Sequence, residues 1–201
     1  MPGNAHKIIS WNAVLLLAVT VAVALGAALI SLPVVSASAG YLVEIIVFEN
    51  ESPDDAGEHW RASEGEPSLQ GAIELGNNNA GITELGPDQS TLTDTLNSLN
   101  ASGRYRVLAH KIWKQPGYSR DTAKAVRVNS VAGRLDGTVR LEGGYYLTLY
   151  VDLAYYPRAG IGTAGAIRLT QQRRVRKEEI QYFDHPRYGV LAVVRSIGSG
   201  R

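Results

Sequence analysis

Cysteine is absent from the 201-residue chain. That excludes disulfide scaffolds, thiolate zinc sites, iron–sulfur clusters, thiol nucleophiles and lipid attachment at a cysteine. Serine-nucleophile signatures are missing as well: there is no G-x-S-x-G and no S-x-x-K. Histidine is limited to four residues, and no pair stands at a ligand spacing such as H-x-x-x-H. A net charge is nearly lacking, with 20 basic against 19 acidic side chains. What is present is an apolar fraction of 45%, too high for a disordered chain. The length suits a single ordinary domain.

The start of the chain reads as an export segment. Lys7 and the amino terminus give a weakly positive region, followed by an apolar run from Ala13 to Val35 that Pro33 interrupts. The run ends in Ala37-Ser38-Ala39, the small-x-small pattern that signal peptidase cleaves. Residues 1–39 are therefore expected to be a signal peptide, with an uncleaved inner-membrane anchor as the competing reading. Residues 40–201 are expected to form a single periplasmic domain.

Charge is sorted along that domain. Gly40 to Asn100 holds 12 acidic residues and one basic one, Arg61. Ala101 to Arg201 holds 7 acidic and 18 basic residues. Either the halves neutralise each other, or the second half offers a basic surface to an anionic partner. Export disfavours nucleic acid and leaves cell-wall polymer, acidic lipid or an acidic protein face.

Hydrophobic patterning predicts an α+β domain with a largely antiparallel sheet. Tyr41–Phe48 reads as a strand buried on both faces. Residues 49–87 read as a long, flexible acidic loop, broken by Pro, Gly and Asn77-Asn78-Asn79. One main helix is expected at about 88–101, capped by Asp88 or Ser90, with Leu92, Leu96 and Leu99 on one face and Gly103 ending it. Further strands are expected at 105–113, 126–131, 134–142, 145–155, 167–175, 180–183 and 190–197. Gly143-Gly144 suggests a two-residue hairpin turn that places Tyr145 on the same face as Leu147, Leu149, Val151 and Leu153.

Gly160-Ile161-Gly162-Thr163-Ala164-Gly165 matches G-x-G-x-x-G, with Asp184 about 20 residues on. A dinucleotide fold needs an apolar helical stripe after it. Ile167 is followed by Thr170, Gln171, Arg173 and Arg174 instead, so no nucleotide is expected. His59, His110 and His185 read as structural, with Asp184-His185-Pro186 a turn. Neither a metal nor another cofactor is expected, and no catalytic residue is assigned.

The densest basic cluster is Arg173-Arg174-Val175-Arg176-Lys177. Alternation sends Arg173 to one face and Arg174 and Arg176 to the other. Such a cluster protects an edge strand from pairing, or it binds carboxylates through paired guanidinium hydrogen bonds. Wall stem peptides and muramyl lactyl groups carry carboxylates, and sugar rings offer apolar faces to aromatic side chains. Arg173, Arg174, Arg176, Tyr182 and Trp113 are the candidate ligand-binding residues.

Four segments resemble the CsiV family of gammaproteobacterial periplasmic proteins. The strongest is Arg173-Arg174-Val175-Arg176-Lys177-Glu178-Glu179-Ile180-Gln181-Tyr182-Phe183-Asp184-His185-Pro186-Arg187-Tyr188-Gly189-Val190-Leu191. The others are Tyr41–Glu49, Tyr105–Pro116 and Tyr146–Leu153. Where the family often has Met, Ser and His, this chain has Val175, Lys177 and Gln181. Where the family commonly has Arg-Tyr-Leu-His, it has Tyr145 to Thr148. The resemblance implies a non-enzymatic peptidoglycan-binding protein that supports wall synthesis. Its implied partner is an outer-membrane lipoprotein that activates a penicillin-binding protein. The alternatives are a wall hydrolase using acidic or histidine–metal chemistry, and an envelope assembly protein anchored in the inner membrane.

Overall fold

The computed structural model describes residues 40–52, 65–76, 79, 81–157 and 165–198. The expected signal segment 1–39, His59 and all but the last residue of the glycine motif lie outside these residues. Among the described residues, no helix is long and apolar enough to cross a membrane.

Among the described residues, nine strands form two antiparallel sheets, not the one sheet that patterning suggested. The five-stranded sheet runs in the order β2 (Thr83–Glu84), β3 (Tyr105–Pro116), β1 (Gly40–Asn50), β9 (Tyr188–Ile197), β8 (Gln181–His185). The four-stranded sheet is β4 (Ala125–Arg127), β5 (Leu135–Glu142), β6 (Leu147–Tyr155), β7 (Ile167–Val175). Val43, Ile45 and Val47 of β1 meet Leu135, Val139, Leu149, Val151 and Leu153 in one shared core. This is the strict alternation that a two-sheet packing demands.

β1 is buried along its length because its other face is covered too. Ile46, Phe48 and Val193 pack under Leu92, Leu96 and Leu99. The last two lie on α1 (Thr93–Ala101). The helix is shorter than expected: Pro87–Gln89 is a separate 3-10 turn. Glu44 of β1 explains the break. Its fully buried carboxylate accepts the Thr91 N–H at 2.8 Å, the Leu92 N–H at 3.4 Å, the Ser90 hydroxyl at 2.5 Å and the Thr91 hydroxyl at 3.0 Å. His110 Nε2 lies 2.9 Å away. Leu92 has no side-chain cap, so a carboxylate reaching from the sheet does the work of one. Burial pushes the Glu44 pKa up, but the bonds from His110, Ser90 and Thr91 outweigh it and hold the group at about 2.

Two polar ties join the sheets. Glu49 of β1 takes a two-pronged bond from Arg134, 2.8 Å on each arm, and a 2.6 Å bond from the Tyr155 hydroxyl. Tyr188 donates to the Leu153 carbonyl at 2.7 Å. Gly137 of β5 is paired with Leu153 of β6. Its φ is +148°, and a Cβ there would lie 2.3 Å from the Asp152 carbonyl oxygen, so only glycine fits.

The stretch expected as a flexible acidic loop reaches the core at two of its described residues. Ile73 bridges to Val126, and both Ile73 and Ile82 are buried in the inter-sheet core. Isolated isoleucines without a period gave no signal of this anchoring. The Gly143-Gly144 hairpin also differs. Neither glycine has positive φ, and the connection runs through Tyr146. Tyr145 therefore stands 92% exposed rather than facing the core.

Candidate basic and aromatic surface

Helix α1, the only α-helix among the described residues, lies on the five-stranded sheet. No described helix covers the outer face of the four-stranded sheet. Register sets what this face presents. Tyr150 of β6 lies between Arg140 of β5 and Gln172 of β7, Thr148 between Glu142 and Arg174, and Asp152 between Thr138 and Thr170. These residues alternate with the core leucines and valines, so they point away from the core.

Two arginines on or beside this face are held by tyrosine rings. Arg140 sits 4.5 Å over the Tyr150 ring, and Arg174 sits 3.7 Å over the Tyr146 ring. Tyr145 meets Tyr146 edge-on at 4.6 Å, and so extends the platform into solvent. Such stacking contributes roughly 0.5–1 kcal/mol at exposed sites and leaves the in-plane N–H edge free to donate. Arg140 also lies 2.8 Å from Glu142. Asp152 is gripped by Arg168 through bonds of 2.7 and 2.8 Å and by Thr170 at 3.0 Å. Arg168, foremost, holds the Asp152 carboxyl below its ordinary range. A recess of about 350 Å³ runs across the face, lined by Thr138, Arg140, Tyr150, Asp152, Thr170 and Gln172, among others.

The charge sorting along the chain resolves into pairs. Among the acidic residues of the first half, Glu49 binds Arg134, Glu51 binds Arg106, Glu74 binds Arg127, Glu84 binds Lys111 and Glu44 meets His110. Mutual neutralisation thus accounts for Arg106, Lys111, Arg127 and Arg134. It leaves out Arg173 and Arg174 of β7 and Arg176 in the turn after it. Arg173 and Arg174 are exposed and stacked on rings, and Arg176 reaches only Glu179, at 3.6 Å.

The five candidate residues are not gathered on one surface. Arg174 lies on the platform. Arg173, one residue along the edge strand, turns toward the other sheet and covers the Phe183 ring at 5.4 Å. Tyr182 is on β8, stacked with Phe48 at 6.3 Å, with its hydroxyl donating to Asp184 at 2.6 Å. Trp113 needs correction as a ligand contact. It is 0% exposed, and its Nε1–H donates to the Gln115 side chain at 2.8 Å inside the core. A strand tryptophan in a basic half looks like a recognition ring, but alternation on β3 turns it inward. The residues added by the structure are Tyr146, Tyr150, Arg140 and Asp152. Their signal was available in the alternation of β5 and β6 and of the turn between them, where Arg140, Tyr146, Thr148, Tyr150 and Asp152 stand at polar or aromatic even-numbered positions.

The histidines serve locally. His110 meets Glu44, and His185 Nδ1 accepts the Arg187 N–H at 3.1 Å within its turn. Burial, above all, lowers the His185 pKa. Among the described residues, no three His, Asp or Glu side chains gather as metal ligands do. Ile167–Val175, after the glycine motif, is a strand and not a nucleotide-binding helix.

Fold and surface together define a two-sheet antiparallel domain with one sheet covered by a helix and the other open, basic and aromatic. The profile of the family described as "Peptidoglycan-binding protein, CsiV" matches residues 15–197. The chain belongs to the CsiV family. Neither a curated protein nor a solved structure matches it significantly.

Proposed function

We propose that this chain is a non-enzymatic, periplasmic accessory protein that binds peptidoglycan through the open face of its four-stranded sheet. The family's description supports peptidoglycan as the ligand and the cell envelope as the location. The observation that carries the choice of face is the pair of ring-stacked arginines beside an open recess. Peptidoglycan combines sugar rings, whose C–H faces pack on tyrosine, with carboxylates, which accept guanidinium N–H bonds. Stacking fixes the guanidinium groups before the ligand arrives, so less side-chain freedom is lost on binding. Tyr145 and Tyr146 supply the ring surface, and Arg140 and Arg174 supply the donors.

In this reading the protein supports wall synthesis by acting with an outer-membrane lipoprotein that activates a penicillin-binding protein. That partner follows from the family resemblance, and co-purification with the lipoprotein, with and without sacculi, tests it. Co-sedimentation with purified sacculi tests the ligand. The protein is expected in the pellet at low salt and increasingly in the supernatant as salt screens the arginines. Protein that stays in the supernatant at every ionic strength refutes the reading.

A further inference from the structure

A second recess, of about 550 Å³, lies on the opposite side of the domain, on the outer face of the five-stranded sheet beyond the start of α1. One cross-strand row forms its base. Leu42 of β1 is paired with Lys114 of β3 on one side and with Arg195 of β9 on the other. Two cations from different strands therefore flank a single leucine, with their backbones roughly 10 Å apart, or two strand spacings. Leu85 and Ile197 add apolar wall, and Gln89 and Glu178 complete the rim.

Three observations separate this recess from an ordinary surface dip. Arg195 donates to the Gln89 carbonyl at 2.8 Å, which fixes the guanidinium, yet its buried Nε has no hydrogen-bond partner. That nitrogen is closed off by the protein itself, so a ligand meets the terminal N–H groups of the guanidinium. Lys114 forms no ion pair among the described residues, although Arg106 and Lys111 of the same strand are paired with Glu51 and Glu84. Glu178 holds φ +66°, the one non-glycine residue with positive φ among the described residues, and its N–H is bound to the Val194 carbonyl at 2.9 Å. That bond holds Glu178 at the rim of the recess.

From these residues we infer that the recess binds the C-terminal carboxylate of a peptide ending in a small apolar residue. The carboxylate lies between Lys114 and Arg195 and accepts bonds from the ammonium and from the terminal N–H groups of the guanidinium. The terminal side chain rests on Leu42 and Ile197. Glu178, the only acid on the rim, accepts the N–H of the terminal peptide bond. Two cations together with one rim carboxylate suit a peptide end, which carries both an anion and an N–H donor, better than a simple anion. Both wall stem peptides and ordinary proteins have such ends; the wall source rests on the function proposed above.

The test is a titration of the full protein, followed by amide resonances, with N-acetyl-D-alanyl-D-alanine, its L,L counterpart and the C-terminal amide of each. Perturbations are expected at Leu42, Lys114, Arg195 and Ile197. At least one acid is expected to bind about tenfold more tightly than its amide, the effect of one lost charge-assisted contact. Lys114→Gln, at an exposed position, should abolish that preference while leaving the melting temperature unchanged. A D,D preference identifies the wall as source, and an L,L preference identifies a protein terminus. Equal binding of acid and amide, perturbations elsewhere, or an unaltered preference in Lys114→Gln overturns the site. Acid-selective binding in a protein that fails to sediment with sacculi leaves this site standing and removes the wall reading.

Discussion

The outer face of the five-stranded sheet carries Ile46, Phe48 and Val193, and α1 covers it. The outer face of the four-stranded sheet carries Thr148, Tyr150, Asp152, Gln172 and Arg174, and no described helix lies on it. Both sheets spend their inner faces on the same core, so the difference is confined to the outer residues. Where these are apolar, a helix must be recruited, and a buried carboxylate is needed to dock it. Where they are charged and aromatic, the sheet stays wet and its side chains remain free to meet a ligand. Helix docking is therefore confined to one face, and the proposed binding of wall polymer is assigned to the other.

Changes in the shared core and on the covered face should break the fold and spare the proposed recognition per folded molecule. The largest effect is expected from Trp113→Ala, which empties the centre of the core and should cost about 3–5 kcal/mol in urea unfolding. If Trp113 were a ligand contact instead, stability would hold and sacculus retention would fall. Glu44→Gln comes next. It leaves His110, Ser90 and the Thr91 amide facing a group that cannot satisfy them all, at a cost of about 3 kcal/mol.

Acid should act through the same carboxylate. Its folded pKa, about 2, lies below the ordinary 4.5. The stability it contributes is thus complete above about pH 4.5 and is lost as pH falls toward 2. Thermal melts in this window should fall steeply for the parent protein. Glu44→Gln should show a flatter profile, and parallel curves would contradict the assignment.

On the open face the order reverses. Tyr146→Ala with Arg174→Ala should lower sacculus retention about tenfold or more and shift unfolding by less than about 0.5 kcal/mol. Arg173→Ala should weaken retention less, because that guanidinium faces Phe183 across the edge between the sheets. The smallest effect is expected from Arg176→Ala, whose charge is already shared with exposed Glu179.

Much of this division was legible in the residues. Strand β7 falls at 167–175 as expected, because Ile167, Leu169 and Val175 alternate with charged and polar neighbours. The leucines of the helix face pack as their spacing predicts. Arg174 separates from Arg173 because successive strand residues point to opposite faces. Other features depend on contacts distant in sequence. Glu44 docks a segment more than 40 residues away, and a lone acid inside an apolar strand carries no mark of its partner. The same holds for Ile73 and Ile82, which reach the core from a stretch without periodicity. Two sheets rather than one follow from which strands pair, and that is a matter of topology rather than local pattern. The stacking of Arg140 on Tyr150 needed the β5–β6 register, which the shape of the turn after Gly143 helps to set.

The central claim is that recognition resides on the open face, and amide resonances of the protein titrated with soluble, enzymatically released glycan strands test it most directly. The account predicts perturbations along Tyr146, Thr148, Tyr150, Gln172 and Arg174, with the residues under α1 unmoved. Perturbations confined to the helix-covered face, with the tyrosine and arginine platform silent, would contradict it.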